Sequence, residues 1–231
     1  CERILEDYKR LEYEMHLLHN EYTGGLKLGA STTVAQYVLP PLLASFIGKF
    51  PHVNLSLLNG NSREIEAALQ EHRIDLGFVE GVFRLPNIKY TTFLKDELVA
   101  VVRTGSKLAI GEEITPEELL HLPLVLRERG SGTLDVFERA LQQHNIKLSS
   151  LQVLMYLGST ESIKLFLEHT DCLGIVSIRS ITRELYSGQL RVVEIKDMPM
   201  LRDFSFAQPQ GQESGLAQVF MQFAMHYNNK L

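Results

Sequence analysis

The segment LKLGASTTVAQYVLPPLLASFIGKFPHVNLSLLNGNSREIEAALQEHRIDLGFVE, residues 26–80, decides the fold class. Three short apolar runs in it are typical of strands, and the two stretches between them have the spacing of helices. The strands are predicted at 26–30, 53–58 and 75–80, and the helices at 34–50, with Pro40-Pro41 at a start or bend, and at 62–72. Leu76-Gly77-Phe78-Val79 is apolar on both faces, as buried parallel strands are. This order predicts right-handed crossovers and an α/β fold with a parallel sheet.

A second alternation of strands and helices begins near residue 98. Strands are predicted at 98–102, 123–126, 151–157, 173–176, 190–195 and 204–207, and helices at 116–120, 134–144, 161–169, 180–186 and 216–227. Two halves of similar design predict two Rossmann-like lobes with a cleft between them, joined by two crossover strands. We expect the crossovers near 90–95 and 190–196. The expected boundaries are 24–92 with 197–231 for lobe I, and 93–196 for lobe II.

The composition limits the class of protein. With 45% hydrophobic and 22% charged residues, the 231-residue chain has a globular balance, and it has no apolar run of about eighteen residues that could span a membrane. The N-terminus does not form an export signal, and Cys1 and Cys172 are too few for a disulfide framework, so we expect a cytoplasmic location. Because no initiator Met is present, we interpret the chain as part of a longer one. The net charge of -5 indicates that it does not bind DNA by itself.

The first 23 residues carry a helical seam. Apolar side chains recur at alternating intervals of four and three residues, with charged residues between them. They are Ile4, Tyr8, Leu11, Met15, Leu18 and Tyr22. This heptad spacing predicts a dimerisation helix that pairs with another chain, ended by Gly24-Gly25. Because only about three heptads are present, a helix packed on its own domain remains the alternative.

Three segments share one design, in which a strand ends, small hydroxylated residues follow and a helix begins. They are Gly29-Ala30-Ser31-Thr32-Thr33, Arg129-Gly130-Ser131-Gly132-Thr133 and Gly158-Ser159-Thr160-Glu161. Ligands of open α/β sheets bind at the carboxyl ends of strands, where backbone N–H groups and the helix dipole favour an anion. Serine and threonine are also preferred N-caps, so each segment alone has a purely structural explanation. Because the segments fall in both lobes, we predict that they line a common cleft.

Ordered motifs over most of the chain carry a family resemblance. In the first lobe they are GLKLG (25–29), YVLPPLL (37–43), FP (50–51), GNSREI (60–65) and IDLGFVEG (74–81), and in the second LRERGSGT (126–133), GSTESIK (158–164) and GIVS (174–177). With these motifs the chain resembles the effector-binding domain of LysR-type transcriptional regulators. The stretch 126–133 is similar to the branch that includes regulators of carbon fixation and sulfur assimilation.

The resemblance implies both a fold and a set of partners. The fold would be two lobes of the type II periplasmic-binding-protein kind, preceded by a dimerising linker helix. The function would be to sense a small anionic metabolite in the cleft and to relay its binding to a winged helix-turn-helix that this chain lacks. The partners would be that metabolite, further copies of the chain in a dimer or tetramer, and DNA through the missing domain, with no membrane.

By the same resemblance, Ser31 and Thr33 occupy positions that hold a carboxylate or oxyanion in many relatives. Side chains of the second lobe would face them, with Arg127 and Arg129 as candidate counter-charges. The expected effector-binding residues are Ser31, Thr32, Thr33, Asn61, Arg127, Ser131, Gly132, Thr133, Ser159 and Thr160. Structural alternatives stay open: an N-cap for Asn61 and a solvated or structural role for each arginine. Ser177, at a strand end, is a further candidate.

Two positions depart from the pattern of the family. Cys172 stands where relatives often have a glycine, and if a left-handed residue is needed there, cysteine costs about 1 kcal/mol. We interpret Cys172 as a small buried apolar residue, with a redox sensor as the alternative. Val34 stands where some anion-binding relatives carry a polar side chain, which argues against a ligand like sulfate.

The sequence gives little support for catalysis. None of the eight histidines falls in an HExxH or similar metal-binding spacing, and GxSxG, P-loop and GxGxxG motifs are absent from the sequence. We therefore predict no catalytic residue, no metal and no cofactor. Two alternatives to a sensor remain, namely an exported solute-binding protein of a transporter and an enzyme on the same fold. The heptad seam argues against the first, and the hydroxyl-rich segments do not suggest the second.

Overall fold

The computed structural model describes residues 22–81, 84–108, 111–211 and 215–228. It begins with the predicted alternation of strands and helices. The elements are β1 (Gly24–Ser31), α1 (Thr32–Tyr37), α2 (Leu39–Lys49), β2 (Val53–Gly60), α3 (Ser62–Gln70) and β3 (Leu76–Glu80). The helical stretch predicted at 34–50 is thus two helices. Pro40 lies in the first turn of α2, where the fixed φ of proline fits a helix and its missing N–H is not needed.

One long strand leads into the second alternation. β4 (Ile88–Arg103) includes the crossover predicted at 90–95 and the strand predicted at 98–102, because the charged residues between them also pair in the sheet. The elements that follow are β5 (Glu113–Ile114), a 3-10 helix (Glu117–His121), β6 (Pro123–Arg127), α4 (Gly132–Gln143), a 3-10 helix (Leu148–Ser150), β7 (Gln152–Leu157), α5 (Thr160–His169), β8 (Leu173–Ser177), a 3-10 helix (Ile178–Ser180), α6 (Thr182–Tyr186), β9 (Leu190–Ile195), β10 (Met200–Pro209) and α7 (Leu216–Asn228).

The strands join the two halves through an antiparallel centre. The order along the sheet is β2-β1-β3-β10-β4-β8-β6-β7, with β1 parallel to β2 and β3, and β6 parallel to β7 and β8. Between these parallel groups, β4 and β10 pair antiparallel and form the two crossovers. The prediction of the second crossover at 190–196 is wrong, because β9 pairs with the far end of β4 and with β5. Strand periodicity alone does not specify the partner of a strand.

The hydrophobic core is divided in the same way. One cluster combines residues from the two ends of the described chain, so that Phe46 packs on Phe220 and Phe78 packs on Phe206. Further clusters lie between residues 98 and 200. We refer to the part around the first cluster as lobe I and to the part around the later ones as lobe II. Burial of each of these four phenylalanines contributes about 1.5–3 kcal/mol to the stability of lobe I.

Most of the predicted helical seam lies outside the described residues. These positions are Ile4, Tyr8, Leu11, Met15 and Leu18. Tyr22 is described, and its ring packs edge-on against Phe50 of the same chain with 5.6 Å between ring centroids. The pairing of the seam with another chain stays a prediction. Within the described ranges, no helix is both long and apolar enough to cross a membrane.

Both positions that depart from the family pattern are buried. Cys172 lies in the core of lobe II, and burial, with Asp171 nearby, raises the pKa of its thiol to about 11. The anticipated backbone strain is absent there, because Cys172 is not among the described non-glycine residues with positive φ. Its environment fits the interpretation as a small apolar residue. Val34 is also fully buried in the core of lobe I, which explains an apolar side chain at that position.

Candidate functional site

Strand ends and helix starts from both lobes meet between the lobes. In lobe I, β1 ends at Ser31 and α1 begins at Thr32. In lobe II, β6 ends at Arg127 and α4 begins a few residues later at Gly132. Arg127 Nη2 lies 3.3 Å from Thr32 Oγ1, so the two lobes are in contact at these ends. The first hydroxyl-rich segment therefore meets the lobe II strand end that precedes the second segment.

Arg127 is a buried cation at this convergence, with 1% of its surface exposed. Its Nε and Nη2 donate to the two carboxylate oxygens of Glu128 at 2.8 and 3.0 Å, and Nη2 also donates to Gly158 O at 3.3 Å. Its Nη1 is buried and has no hydrogen-bond partner among the described residues. A buried guanidinium N–H without an acceptor is unfavourable, and an anionic ligand supplies an acceptor with suitable geometry.

Ser31 presents a second unsatisfied group beside Thr32. Its hydroxyl is buried without a partner among the described residues, and although Ser31 precedes α1 its side chain does not cap that helix. The Thr32 hydroxyl donates to Gly60 O at 3.2 Å and accepts from Arg127. The N-cap explanation therefore does not apply to Ser31. Its hydroxyl and Arg127 Nη1 are thus two buried polar groups, one from each lobe, that have no hydrogen-bond partner among the described residues.

The hydroxyls of Thr33 and Thr133 converge on a carboxylate of the chain itself. Both donate to Glu80 Oε1, at 3.2 and 3.4 Å, although they come from different lobes. Arg202 Nη1 donates to Thr133 Oγ1 at 2.9 Å and lies 3.2 Å from Glu80 Oε1. The two threonines are thus brought together as predicted, but around Glu80. Their role in effector binding stays a prediction.

The crossover strands complete this ion cluster. Arg202 of β10 and Asp96 of β4 are register partners, and Arg202 Nε donates to Asp96 Oδ2 at 2.7 Å. Ser177 donates to the other carboxylate oxygen, Asp96 Oδ1, at 2.7 Å. Arg202, Asp96 and Glu80 have essentially no exposed side-chain surface. In such surroundings charges are stable only when paired, so the cluster favours one relative position of the lobes and the crossovers.

Glycines allow the backbones of the lobes to touch. A Cβ atom on Gly132, the first residue of α4, would lie 2.2 Å from Glu80 O, and Gly81 has a φ of +107°. Nearby, Arg63 N donates to Gly130 O at 3.3 Å across the lobes. The predicted site residue Gly132 is therefore a close-packing position, which any side chain would disturb.

Several predicted site residues act as helix caps in the structure. Asn61 forms a capping box with Glu64 at the start of α3. Ser131 accepts from Thr133 N, and Ser159 accepts from Ser162 N. For these three the structural alternative holds, while a contact with effector is untested. Thr160 is buried in the first turn of α5. Of the two candidate counter-charges, Arg129 is 71% exposed and lies 3.8 Å from Glu138.

A polar cavity of about 640 Å³ opens between α1 of lobe I and α5 and α6 of lobe II. On its wall the Tyr37 hydroxyl donates to Glu161 Oε1 across the lobes. Lys164 Nζ contacts Glu161 Oε1 at 2.7 Å, Glu184 Oε1 at 2.8 Å and Ser180 O at 2.9 Å. Burial and the bond to Glu161 raise the pKa of Tyr37. Burial opposes ionisation of Glu161, but the bonds from Lys164 and Tyr37 outweigh it and lower the pKa of this carboxyl.

The sequence analysis missed the charged residues between the lobes. Glu80 carried a signal, because it ends an apolar strand that is buried along its whole length, where an ionised side chain needs a special partner. Tyr37 lies in the motif YVLPPLL (37–43), but this motif does not by itself indicate a role in the site. Lys164 also lies within a quoted motif, three residues after Glu161 on the same helix. Arg202 and Asp96 have no local signal, since their pairing depends on contacts that only the tertiary structure brings together.

Comparisons with known proteins agree with this architecture. The model of the LysR substrate binding domain matches residues 19–228. The uncharacterized HTH-type transcriptional regulator YeiE of Escherichia coli K12 is 34% identical over 79% of this chain and 61% of its own length. CysL of Bacillus subtilis is 26% identical over 86% of this chain and 66% of its length. The chain thus spans less than two thirds of these regulators.

A solved structure supports the same fold. The regulatory domain of CcmR from Synechocystis PCC6803, determined in complex with 2-PG, has a TM-score of 0.81 and 27% identity, and the match covers 90% of this chain and 99% of that domain. The predicted two-lobed fold of the type II periplasmic-binding-protein kind is confirmed, as is the resemblance inferred from the motifs. The chain belongs to the LysR substrate-binding domain family.

Proposed function

We propose that this chain is the ligand-sensing part of a LysR-type transcriptional regulator and that it binds a small anionic metabolite between its lobes. The observation that carries the proposal is the buried pair of unsatisfied groups, the Nη1 of Arg127 and the hydroxyl of Ser31. Both lie at carboxyl ends of parallel strands, one in each lobe. A ligand held by both would favour one arrangement of the lobes, which is the condition for a sensing response.

The hydrogen-bond donors of the site support an anionic ligand. Glu128 occupies the Nε and Nη2 face of Arg127, so the guanidinium offers Nη1 to a carboxylate or phosphoryl oxygen. The regulatory domain of CcmR was determined with 2-PG, which makes 2-PG and inorganic phosphate the first probes to use. The relatives named above are regulators, which favours sensing over transport as the role of the cleft.

Calorimetric titration of wild type and variants tests the site. Ser31→Ala removes a buried hydroxyl without a partner, so the free energy of unfolding should stay the same or rise slightly, while affinity for the bound probe falls about tenfold. Arg127→Met should weaken binding at least as much. Arg129→Met is the matched control, because Arg129 is exposed, and it should bind like wild type.

Two results would contradict the proposed site. The first is binding of 2-PG or phosphate with equal affinity by wild type, Ser31→Ala and Arg127→Met. The second is a loss of unfolding free energy in Ser31→Ala by about 1 kcal/mol with affinity unchanged, the result expected of a helix cap. If neither probe binds wild type, a mixture of carboxylate and phosphate metabolites should be screened by thermal shift, and failure of every anion to stabilise the protein would refute an anionic effector.

We further propose that the chain assembles with copies of itself and reaches DNA only through a domain outside it. The strands at the two ends of the sheet path, β2 and β7, expose apolar side chains. These are Leu57 and Leu58 on β2, and Leu154, Met155 and Tyr156 on β7. Edge strands with exposed apolar residues favour pairing with another chain. Sedimentation should show a dimer or larger species, and monomer alone at micromolar concentration would contradict assembly.

The lobe boundaries 24–92 with 197–231 and 93–196, a cytoplasmic location, and the absence of catalytic activity belong to this same proposal. The separate core clusters support the division into two lobes, although Phe93 packs in the lobe I cluster and Met198 and Met200 pack in the lobe II cluster. The regulator relatives support the other two statements. Limited proteolysis tests the boundaries, because cleavage should concentrate at the ends of the crossover strands and should spare the interior of each lobe.

A further inference from the structure

One side chain of lobe I reaches an ion network that otherwise belongs to lobe II. Tyr37, at the end of α1, donates its hydroxyl hydrogen to Glu161 of α5. The Nζ of Lys164 lies 5.3 Å from the centre of the Tyr37 ring, so the aromatic face also meets a cation. Two attractive contacts thus join Tyr37 to the opposite lobe.

The network that receives Tyr37 is fixed within lobe II. Lys164 is buried and holds Glu161, Glu184 and the backbone oxygen of Ser180 together, and these groups come from α5, α6 and the 3-10 helix between them. Because Lys164 is held on three sides, Glu161 is a preorganised acceptor. The Tyr37 hydroxyl thus meets an acceptor that contacts within lobe II hold in place.

The contact stands beside the polar cavity between the lobes. Tyr37, Glu161 and Lys164 all line that cavity, and Arg127 is close enough to influence the Tyr37 phenol electrostatically. We propose that Tyr37, docked on Glu161 and Lys164, is a latch that holds the two lobes closed across the cavity and sets the balance between open and closed cleft. The latch rests on the proposed function only for what it would regulate, namely ligand binding between the lobes. The contact of Tyr37 with Glu161 and Lys164 itself involves no ligand.

Distances between spin labels measure that balance directly. Labels at Ser45→Cys on α2 and His169→Cys at the end of α5 report on separate lobes, and both native residues are exposed. Cys1 is replaced by serine, whereas buried Cys172 is kept. The labelled protein is diluted with unlabelled protein so that distances within one chain dominate. No ligand is added, so failure of the latch would leave the proposed effector site untouched.

The latch predicts a defined pattern among the variants. Tyr37→Phe and Glu161→Gln should each raise the ratio of long to short distances about tenfold, the effect of losing about 1.4 kcal/mol from a hydrogen bond to a carboxylate. The double variant should match the single ones, because both act through one bond. Tyr186→Phe and Glu168→Gln are the controls, since Tyr186 is 96% exposed and Glu168 is exposed on the same helix as Glu161.

Thermal unfolding measurements distinguish opening of the cleft from unfolding of the protein. Glu161→Gln changes lobe II and Tyr37→Phe changes lobe I, so a folding defect in one variant leaves the other as a test. Unchanged distances in either folded latch variant would overturn the proposal. So would equal shifts in the control variants, or effects of Tyr37→Phe and Glu161→Gln that simply add in the double variant.

Discussion

Replacing Arg202 by methionine should lower the free energy of unfolding by about 3–5 kcal/mol, the cost of removing one partner from a buried ion pair. Arg202 forms two such pairs, with Asp96 at 2.7 Å and Glu80 at 3.2 Å. Methionine replaces the aliphatic part of the arginine side chain and is apolar, so the loss is mainly that of the charge. Hydrogen bonds from Ser177 to Asp96 and from Thr33 to Glu80 remain and keep the loss within this range.

A matched control separates burial from simple loss of charge. Arg179 lies 3.6 Å from the same Asp96 carboxylate, but its side chain is 41% exposed. Arg179→Met should therefore cost about 1 kcal/mol or less, as exposed ion pairs do. The double variant Arg202→Met with Glu80→Gln should recover part of the loss, because the buried charge of Glu80, which loses its cation in Arg202→Met, is then gone.

Urea unfolding provides the measurement. The chain contains no tryptophan, so far-ultraviolet circular dichroism is the suitable signal, and the midpoint and slope give the free energy. Equal stabilities for Arg202→Met and Arg179→Met would refute the argument that burial of the cluster makes it sensitive. A double variant less stable than Arg202→Met would show that Glu80 does not act as an unpaired charge.

Three further predictions concern packing, thiol chemistry and charge. Gly132→Ala should lower the free energy of unfolding in urea by about 1–3 kcal/mol, because a Cβ atom would overlap Glu80 O. Gly158→Ala, which has open space around the added Cβ atom, should be as stable as wild type. Equal losses in the two variants would contradict the close contact. In a variant with Cys1 replaced by serine, Cys172 should resist a thiol reagent in the folded protein at neutral pH, because burial raises the pKa of its thiol to about 11. Rapid labelling of Cys172 would count against a buried, inert thiol. The chain should not bind duplex DNA at low salt, given its charge of -5, and a tight, salt-sensitive complex by gel shift would disprove this.

The order of elements could be predicted from the sequence because hydrophobic periodicity records which faces are buried. The alternation over residues 26–80 appears in the structure almost unchanged, as β1 to β3 with their helices. The pairing partners of the strands could not be predicted in this way. β9 and β10 are both strands in the sequence pattern, yet only β10 crosses between the lobes, and that choice is made by contacts with β3 and β4.

The candidate site was only partly predictable for a related reason. Hydroxyl residues after strands indicate either a cap or a ligand contact, and the sequence does not distinguish them. In the structure Ser131 and Ser159 cap their helices, while Ser31 does not. The charged groups Glu80 and Arg202 meet although they are more than a hundred residues apart in the chain, and no local pattern encodes such a pair.

The core of lobe I determines the order in which the chain can fold during synthesis. Lobe II draws its core from one continuous stretch, so it is complete once the chain has emerged as far as Met200. Lobe I needs Phe206 of β10 and Phe220 of α7, which leave the ribosome after all of lobe II. Until then Phe46 lacks Phe220 and Phe78 lacks Phe206, so part of the apolar side of α2 and β3 stays open to chaperones and to aggregation. The lobe that begins the chain is the one that folds second.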